Sequence, residues 1–89
     1  MPFLVVEYDY DPPLTDEVLD EVSAALKPCL DVRGVRRLRS WLSKDRRRGL
    51  CEYEAADAES VREAYRSAKV AYGRIWPAIL YEAGLARKE

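Results

Sequence analysis

Val35-Arg36-Arg37-Leu38-Arg39-Ser40-Trp41-Leu42-Ser43, the link Lys44-Asp45-Arg46-Arg47-Arg48-Gly49, and Leu50-Cys51-Glu52-Tyr53-Glu54 decide the fold. The first segment alternates, with Leu38, Ser40 and Leu42 on one side and Arg37, Arg39 and Trp41 on the other, which is the period of a strand. The polar link ends in glycine, as a hairpin connection does, and the third segment is the returning strand. Parity in that strand fixes the faces. Either Cys51 and Tyr53 or Leu50, Glu52 and Glu54 lie beneath covering helices, and unpaired carboxylates there would cost several kcal/mol. Cys51 and Tyr53 are therefore assigned to the core, beside Leu4, Val6, Leu38, Leu42, Ile75 and Ile79.

The flanking sequence completes the pattern. Phe3-Leu4-Val5-Val6-Glu7-Tyr8 is a run of β formers stopped by Asp11-Pro12-Pro13. Thr15 suits an N-cap, with Asp16 and Glu17 in the first turn where the helix dipole favours acids. Val18, Val22, Ala25, Leu26, Cys29 and Leu30 follow at helical spacing. Pro28 is expected to kink the helix or disturb its last turn, and Gly34 to end the segment. Asp57 caps a second helix with Val61, Ala64, Tyr65 and Ala68 on one face. The last strand is expected over Tyr72 to Tyr81. Pro77 cannot donate to a ladder, so this strand belongs at an edge or carries a bulge.

The order β-α-β-β-α-β predicts an α+β, ferredoxin-like fold. Right-handed crossovers place both helices on one face of a four-stranded antiparallel sheet, with the first and third strands central. One domain over residues 1–82 is expected, with 83–89 as a flexible tail.

Composition narrows the function. The 89 residues are 48% hydrophobic and 35% charged, a folding composition. Histidine is absent, which removes the commonest general base and the commonest transition-metal ligand. Two cysteines do not make a disulfide scaffold or an iron–sulfur site, and read as free thiols in a reducing cytoplasm. The N-terminus lacks the basic region of a signal peptide, and no apolar run approaches the ~18 residues of a membrane span. Charge is segregated. Residues 1–30 hold seven acids against Lys27, while residues 31–48 hold eight bases against Asp31 and Asp45. Opposite segments that neutralise each other within the fold account for this; self-association or a local anion site are the alternatives.

The helix-free face is expected to carry Phe3, Val5, Glu7, Arg37, Arg39, Trp41, Leu50, Glu52, Glu54, Arg74, Trp76 and Ala78. Two tryptophans on an uncovered sheet make a large apolar patch, most simply covered by a second copy of the chain. A ligand, if there is one, is expected among Glu7, Arg39, Trp41, Glu52, Glu54 and Trp76, where aromatic walls and a few fixed charges suit a small molecule, and Arg39 or Arg74 could hold an anionic one. The same face could serve only as a dimer interface with paired charges. Two further readings are a cofactor-independent enzyme of isomerase or monooxygenase type using Glu52 or Glu54, and a carboxylate metal site from Glu7, Glu52 and Glu54. No resident cofactor, no nickel or zinc site and no nucleic-acid partner are expected. Glu52 and Glu54 stand where an RNA-recognition sheet presents aromatics, and Arg46-Arg47-Arg48 reads as a solvated hairpin tip.

Arg39-Ser40-Trp41, Asp45, the run Cys51-Glu52-Tyr53-Glu54-Ala55 with Asp57-Ala58-Glu59, and Arg74-Ile75-Trp76 together resemble a known family over residues 35–78. It comprises small bacterial ferredoxin-like proteins known as domain of unknown function 4242, nickel-binding-protein-like by label. The resemblance implies a dimeric α/β-barrel assembly and no particular reaction. Its metal-binding members use histidines, some on the second helix, where this chain has Tyr65 and Lys69. Nickel binding is accordingly not carried over.

Overall fold

The computed structural model describes residues 2–81 and Ala83. The elements run β1 (Phe3–Asp9), α1 (Asp16–Asp31), β2 (Arg36–Leu42), β3 (Arg48–Glu54), α2 (Ala58–Ala68) and β4 (Arg74–Ala78). The antiparallel sheet has the order β2-β3-β1-β4, so β1 and β3 are central and Pro77 lies on an edge. The expected tail at 83–89 lies, apart from Ala83, outside the described residues.

Local chemistry sets the helix ends as anticipated. Thr15 Oγ1 accepts a hydrogen bond from the Val18 amide at 3.2 Å, and Asp57 Oδ1 one from the Ser60 amide at 2.8 Å. α1 remains helical through Pro28 to Asp31, rather than breaking there. It closes at Gly34, whose φ of 65° is a left-handed conformation that glycine adopts without penalty. The core lies between the helices and one sheet face. Leu4 and Val6 of β1 and Cys51 and Tyr53 of β3 pack against Leu26 and Leu30 of α1 and Val61, Ala64 and Tyr65 of α2. The parity chosen for β3 therefore holds.

The upstream part of β2 departs from simple alternation. Arg37 pairs with Tyr53, but the next pair is Arg39 with Glu52, so Leu38 occupies a bulge. Cross-strand partners share a face. Arg37 thus points to the helix side with Tyr53 instead of lying on the open face, and Arg36 joins Glu54 on the open face. Leu38 is exposed and lines that open face rather than the core. Ile79, expected in the core, lies just beyond the end of β4 and is 55% exposed. β4 ends earlier than expected, at Ala78.

The segregated charges meet. Arg46 Nη1 lies 2.6 Å from Asp16 and Arg47 Nη1 3.3 Å from Asp11. The Tyr10 and Leu14 amides donate to the Arg47 and Arg46 carbonyls. The basic hairpin tip is thus pinned to the acidic loop after β1, not simply solvated.

Candidate functional site

Three rows of cross-strand neighbours build the helix-free face. Arg36, Glu54, Phe3 and Ala78 form the first; Arg39, Glu52, Val5 and Trp76 the second; Trp41, Leu50, Glu7 and Arg74 the third. Two clusters stand out. Glu52 accepts from Arg39 Nε at 2.9 Å on one carboxylate oxygen and from Trp41 Nε1 at 2.8 Å on the other. Glu7 accepts from Trp76 Nε1 at 2.6 Å and from Arg74 Nη2 at 3.4 Å, again one on each oxygen. In both, an edge strand supplies Arg-x-Trp and the adjacent central strand supplies the glutamate. The fold's own internal two-fold, which maps β1 to β3 and β2 to β4, carries one cluster onto the other.

The electrostatics follow from these contacts. The indole of Trp76, reinforced by Arg74, holds the Glu7 carboxyl below the ordinary carboxylate value. For Glu52, slight burial pushes upward, but hydrogen bonds from Arg39 and Trp41 outweigh it and the net direction is down. Both glutamates are therefore ionised acceptors at neutral pH, not proton donors. On the helix side, burial pushes the Tyr8 and Tyr65 phenols up, which keeps them neutral. All four groups are moved away from pH 7, the opposite of what a general acid or base requires.

The side chains expected to form one site are partly brought together. Arg39, Trp41, Glu52 and Trp76 line a common groove of about 670 Å³, floored by Val5 and Leu50. Glu7 borders it only through its hold on Trp76, and itself lines an adjoining recess of about 470 Å³ with Trp41, Leu50 and Arg74. Glu54 stands apart, paired with Arg36 at the other end of the face. Leu38, Ile79 and Tyr81 also line the groove but were not anticipated there. The repeated Arg-x-Trp at 39–41 and 74–76 was the available signal for the paired clusters.

Donor chemistry bears on metals as well. Among the described residues, no group of three or more histidine, cysteine, aspartate or glutamate side chains converges as a metal site would require. Cys51 is buried beside Ser40, whose hydroxyl lies 3.1 Å from its sulfur, and Cys29 is a free thiol on α1.

Comparison with known proteins adds a lineage. The structure of SCO4226 from Streptomyces coelicolor A3(2) superposes with a TM-score of 0.72 at 17% identity, covering 94% of this chain and 98% of that one, a likeness of fold. No curated protein matches the chain. A family model described as nickel responsive protein SCO4226-like matches residues 4–77, which takes in the first strand and helix as well as the region of the original resemblance. With most of its length matched, the chain belongs to the SCO4226-like family.

Proposed function

We propose that the chain is a homodimeric module of the dimeric α/β-barrel type, whose open sheet faces close on each other around a cavity for a small, largely apolar molecule. The observation that carries this reading is the pair of Trp–Glu–Arg clusters. Each glutamate accepts from an indole on one carboxylate oxygen and from an arginine on the other, so the ring is fixed against the sheet and the charges on the face are balanced internally. What remains for a partner is aromatic and aliphatic surface: Trp41 is 59% exposed and Trp76 41%. The molecule is a slab of 38 × 30 × 18 Å, and its broad face exceeds the roughly 800 Å² that each partner gives to a standard interface. The internal two-fold of the face suits a self-complementary contact.

The family description speaks of nickel. The donors of this chain do not fit that ion: it has no histidine, and its two thiols have no converging third or fourth ligand among the described residues. The ionised, fully occupied glutamates also weigh against the enzyme reading. An anion is a poorer occupant of the groove than a neutral ring, because Arg39 and Arg74 are already engaged by Glu52 and Glu7.

Light scattering across a concentration series tests the assembly. A particle of twice 10.2 kDa is expected, and Trp41→Glu should return it to the monomer mass by placing a charge in the interface core. A wild-type monomer at high concentration overturns the proposal. The cavity is tested on the intact dimer by titrating 1-naphthol and following tryptophan quenching. Saturable quenching that Leu50→Ala weakens while the dimer mass is unchanged supports it; quenching that remains linear rejects it.

A further inference from the structure

A second feature lies on the opposite side of the sheet and does not depend on the open face. The β2 bulge turns Arg37 inward, beneath the helices. Its Nη2 reaches the Tyr53 hydroxyl at 3.4 Å and its guanidinium lies 5.8 Å from the centre of the Tyr53 ring. No ion pair joins Arg37 to any carboxylate among the described residues, and its Nε is buried with no hydrogen-bond partner. Arg37 is half-buried, but its Nε is shut off from water with its N–H unmet and no counter-charge beside it, which is costly, and a bound species that completes the group removes that cost.

The surroundings say what that species is. A small void of about 30 Å³ lies between sheet and helices, lined by Arg37 together with Tyr8, Tyr10, Ser40, Cys51 and Tyr65. It has the size of a single oxygen atom with its hydrogens; the Ser40 hydroxyl is directed to Cys51 and that of Tyr65 bonds with Tyr53, so Arg37 brings the unmet donor. Beside it a groove of about 520 Å³ runs between α1 and β2, bordered by Lys27, Leu30, Val35 and Arg37. Ser23 and Arg37 line both spaces, so the guanidinium stands where the groove meets the void. Asp31 also borders the groove, but it is held by Lys27 at 3.0 Å.

We propose that Arg37 anchors a small oxygen-bearing anion, a carboxylate or an inorganic oxoanion, that enters through the groove between α1 and β2. One anion oxygen meets Nε at the void, and the rest of the molecule lies in the groove toward Lys27. The chemistry is that of a charge-assisted hydrogen bond in a site partly shielded from water.

Heteronuclear NMR of the intact, tag-free protein tests this. Sodium acetate and sodium phosphate are titrated separately, in exchange for chloride at constant ionic strength. The expected result is a saturable shift of the Arg37 Nε–Hε cross-peak with at least one of the two. Acetate alone identifies a carboxylate site and phosphate alone an oxoanion site. Arg37→Lys keeps the charge but removes Nε, and should weaken binding about tenfold or more, the equivalent of one such hydrogen bond. A wild-type cross-peak indifferent to both anions overturns the proposal and assigns the void to water. Equal affinity in Arg37→Lys overturns it too. Should that variant fail to fold, the wild-type cross-peak still decides.

Discussion

Glu7 and Glu52 occupy equivalent places in the two halves of the sheet, and each is bound by the indole of a tryptophan two residues beyond an arginine. The carboxylates here do not act as reagents. They are clamps that hold two aromatic rings in place on an exposed surface.

Clamping predicts a measurable coupling. Trp41→Phe removes the indole N–H while keeping an aromatic ring, and should cost about 1 kcal/mol in urea unfolding, the range for a hydrogen bond to a partly exposed charge. Glu52→Gln keeps an acceptor for Trp41 but loses the ion pair with Arg39, and should cost less than about 1 kcal/mol. A double-mutant cycle between Trp41 and Glu52 should show positive coupling. A coupling of zero would mean that the indole is not held by the carboxylate.

The pH profile has a defined sign. Glu7 and Glu52 both titrate below their ordinary value of 4.5 in the folded chain. Lowered carboxylates contribute stability that is fully present above the unfolded value and is lost as the pH falls through the folded one. Stability and tryptophan emission should therefore be insensitive to these groups between about pH 6 and 8 and change together below about pH 4.5. Glu7→Gln combined with Glu52→Gln should flatten the acid limb of the emission curve. The cap of α2 adds to the acid loss of stability, since Asp57 is also lowered by the Ser60 amide and hydroxyl.

The buried tyrosine pair predicts an asymmetry. The Tyr53 and Tyr65 hydroxyls are 2.7 Å apart, and Tyr53 alone also accepts from Arg37. Tyr53→Phe strands both the Tyr65 hydroxyl and the Arg37 Nη2, and should cost about 2–3 kcal/mol. Tyr65→Phe leaves the Tyr53 hydroxyl with Arg37 and should cost nearer 1 kcal/mol. Thermal and urea denaturation of the two variants gives the order directly.

Gly49 predicts a steric effect. It lies opposite Tyr8 across β1 and β3, and a Cβ there would collide with the hydroxyl end of the Tyr8 ring. Gly49→Ala should cost about 1–3 kcal/mol through overpacking. Tyr8→Leu in the same chain should recover part of that loss, a non-additivity readable in chemical denaturation.

Much of this architecture could be read in the sequence because single residues carry strong constraints. Thr15 and Asp57 announce helix starts through the hydroxyl and carboxylate that cap them. Pro77 announces an edge through its missing N–H, and Glu52 and Glu54 fix the parity of β3 through the cost of burying charge. The misplacements of Arg37 and Leu38 share one cause. A bulge adds a residue without leaving a mark in a run such as Arg36-Arg37-Leu38-Arg39, where long arginine stems fit either environment. Ile79 was misplaced because alternation was carried past Ala78, where the strand stops. The tryptophans and glutamates of the open face were legible as neighbours. Their mutual hydrogen bonds were not, since alternation gives the side of a sheet but not the lean of a side chain along it.

Leu38 also changes how relatives should be compared. An ungapped alignment of this strand with a relative that lacks the bulge would pass as the better match. It would set Leu38 opposite Tyr53 and Arg37 over Glu54, exchanging inside for outside over everything upstream. A one-residue gap at Leu38 keeps Arg37 with Tyr53 and Arg36 with Glu54. The position that corresponds to the inward guanidinium in a relative is therefore found by its pairing with the third strand, not by counting back from Arg39.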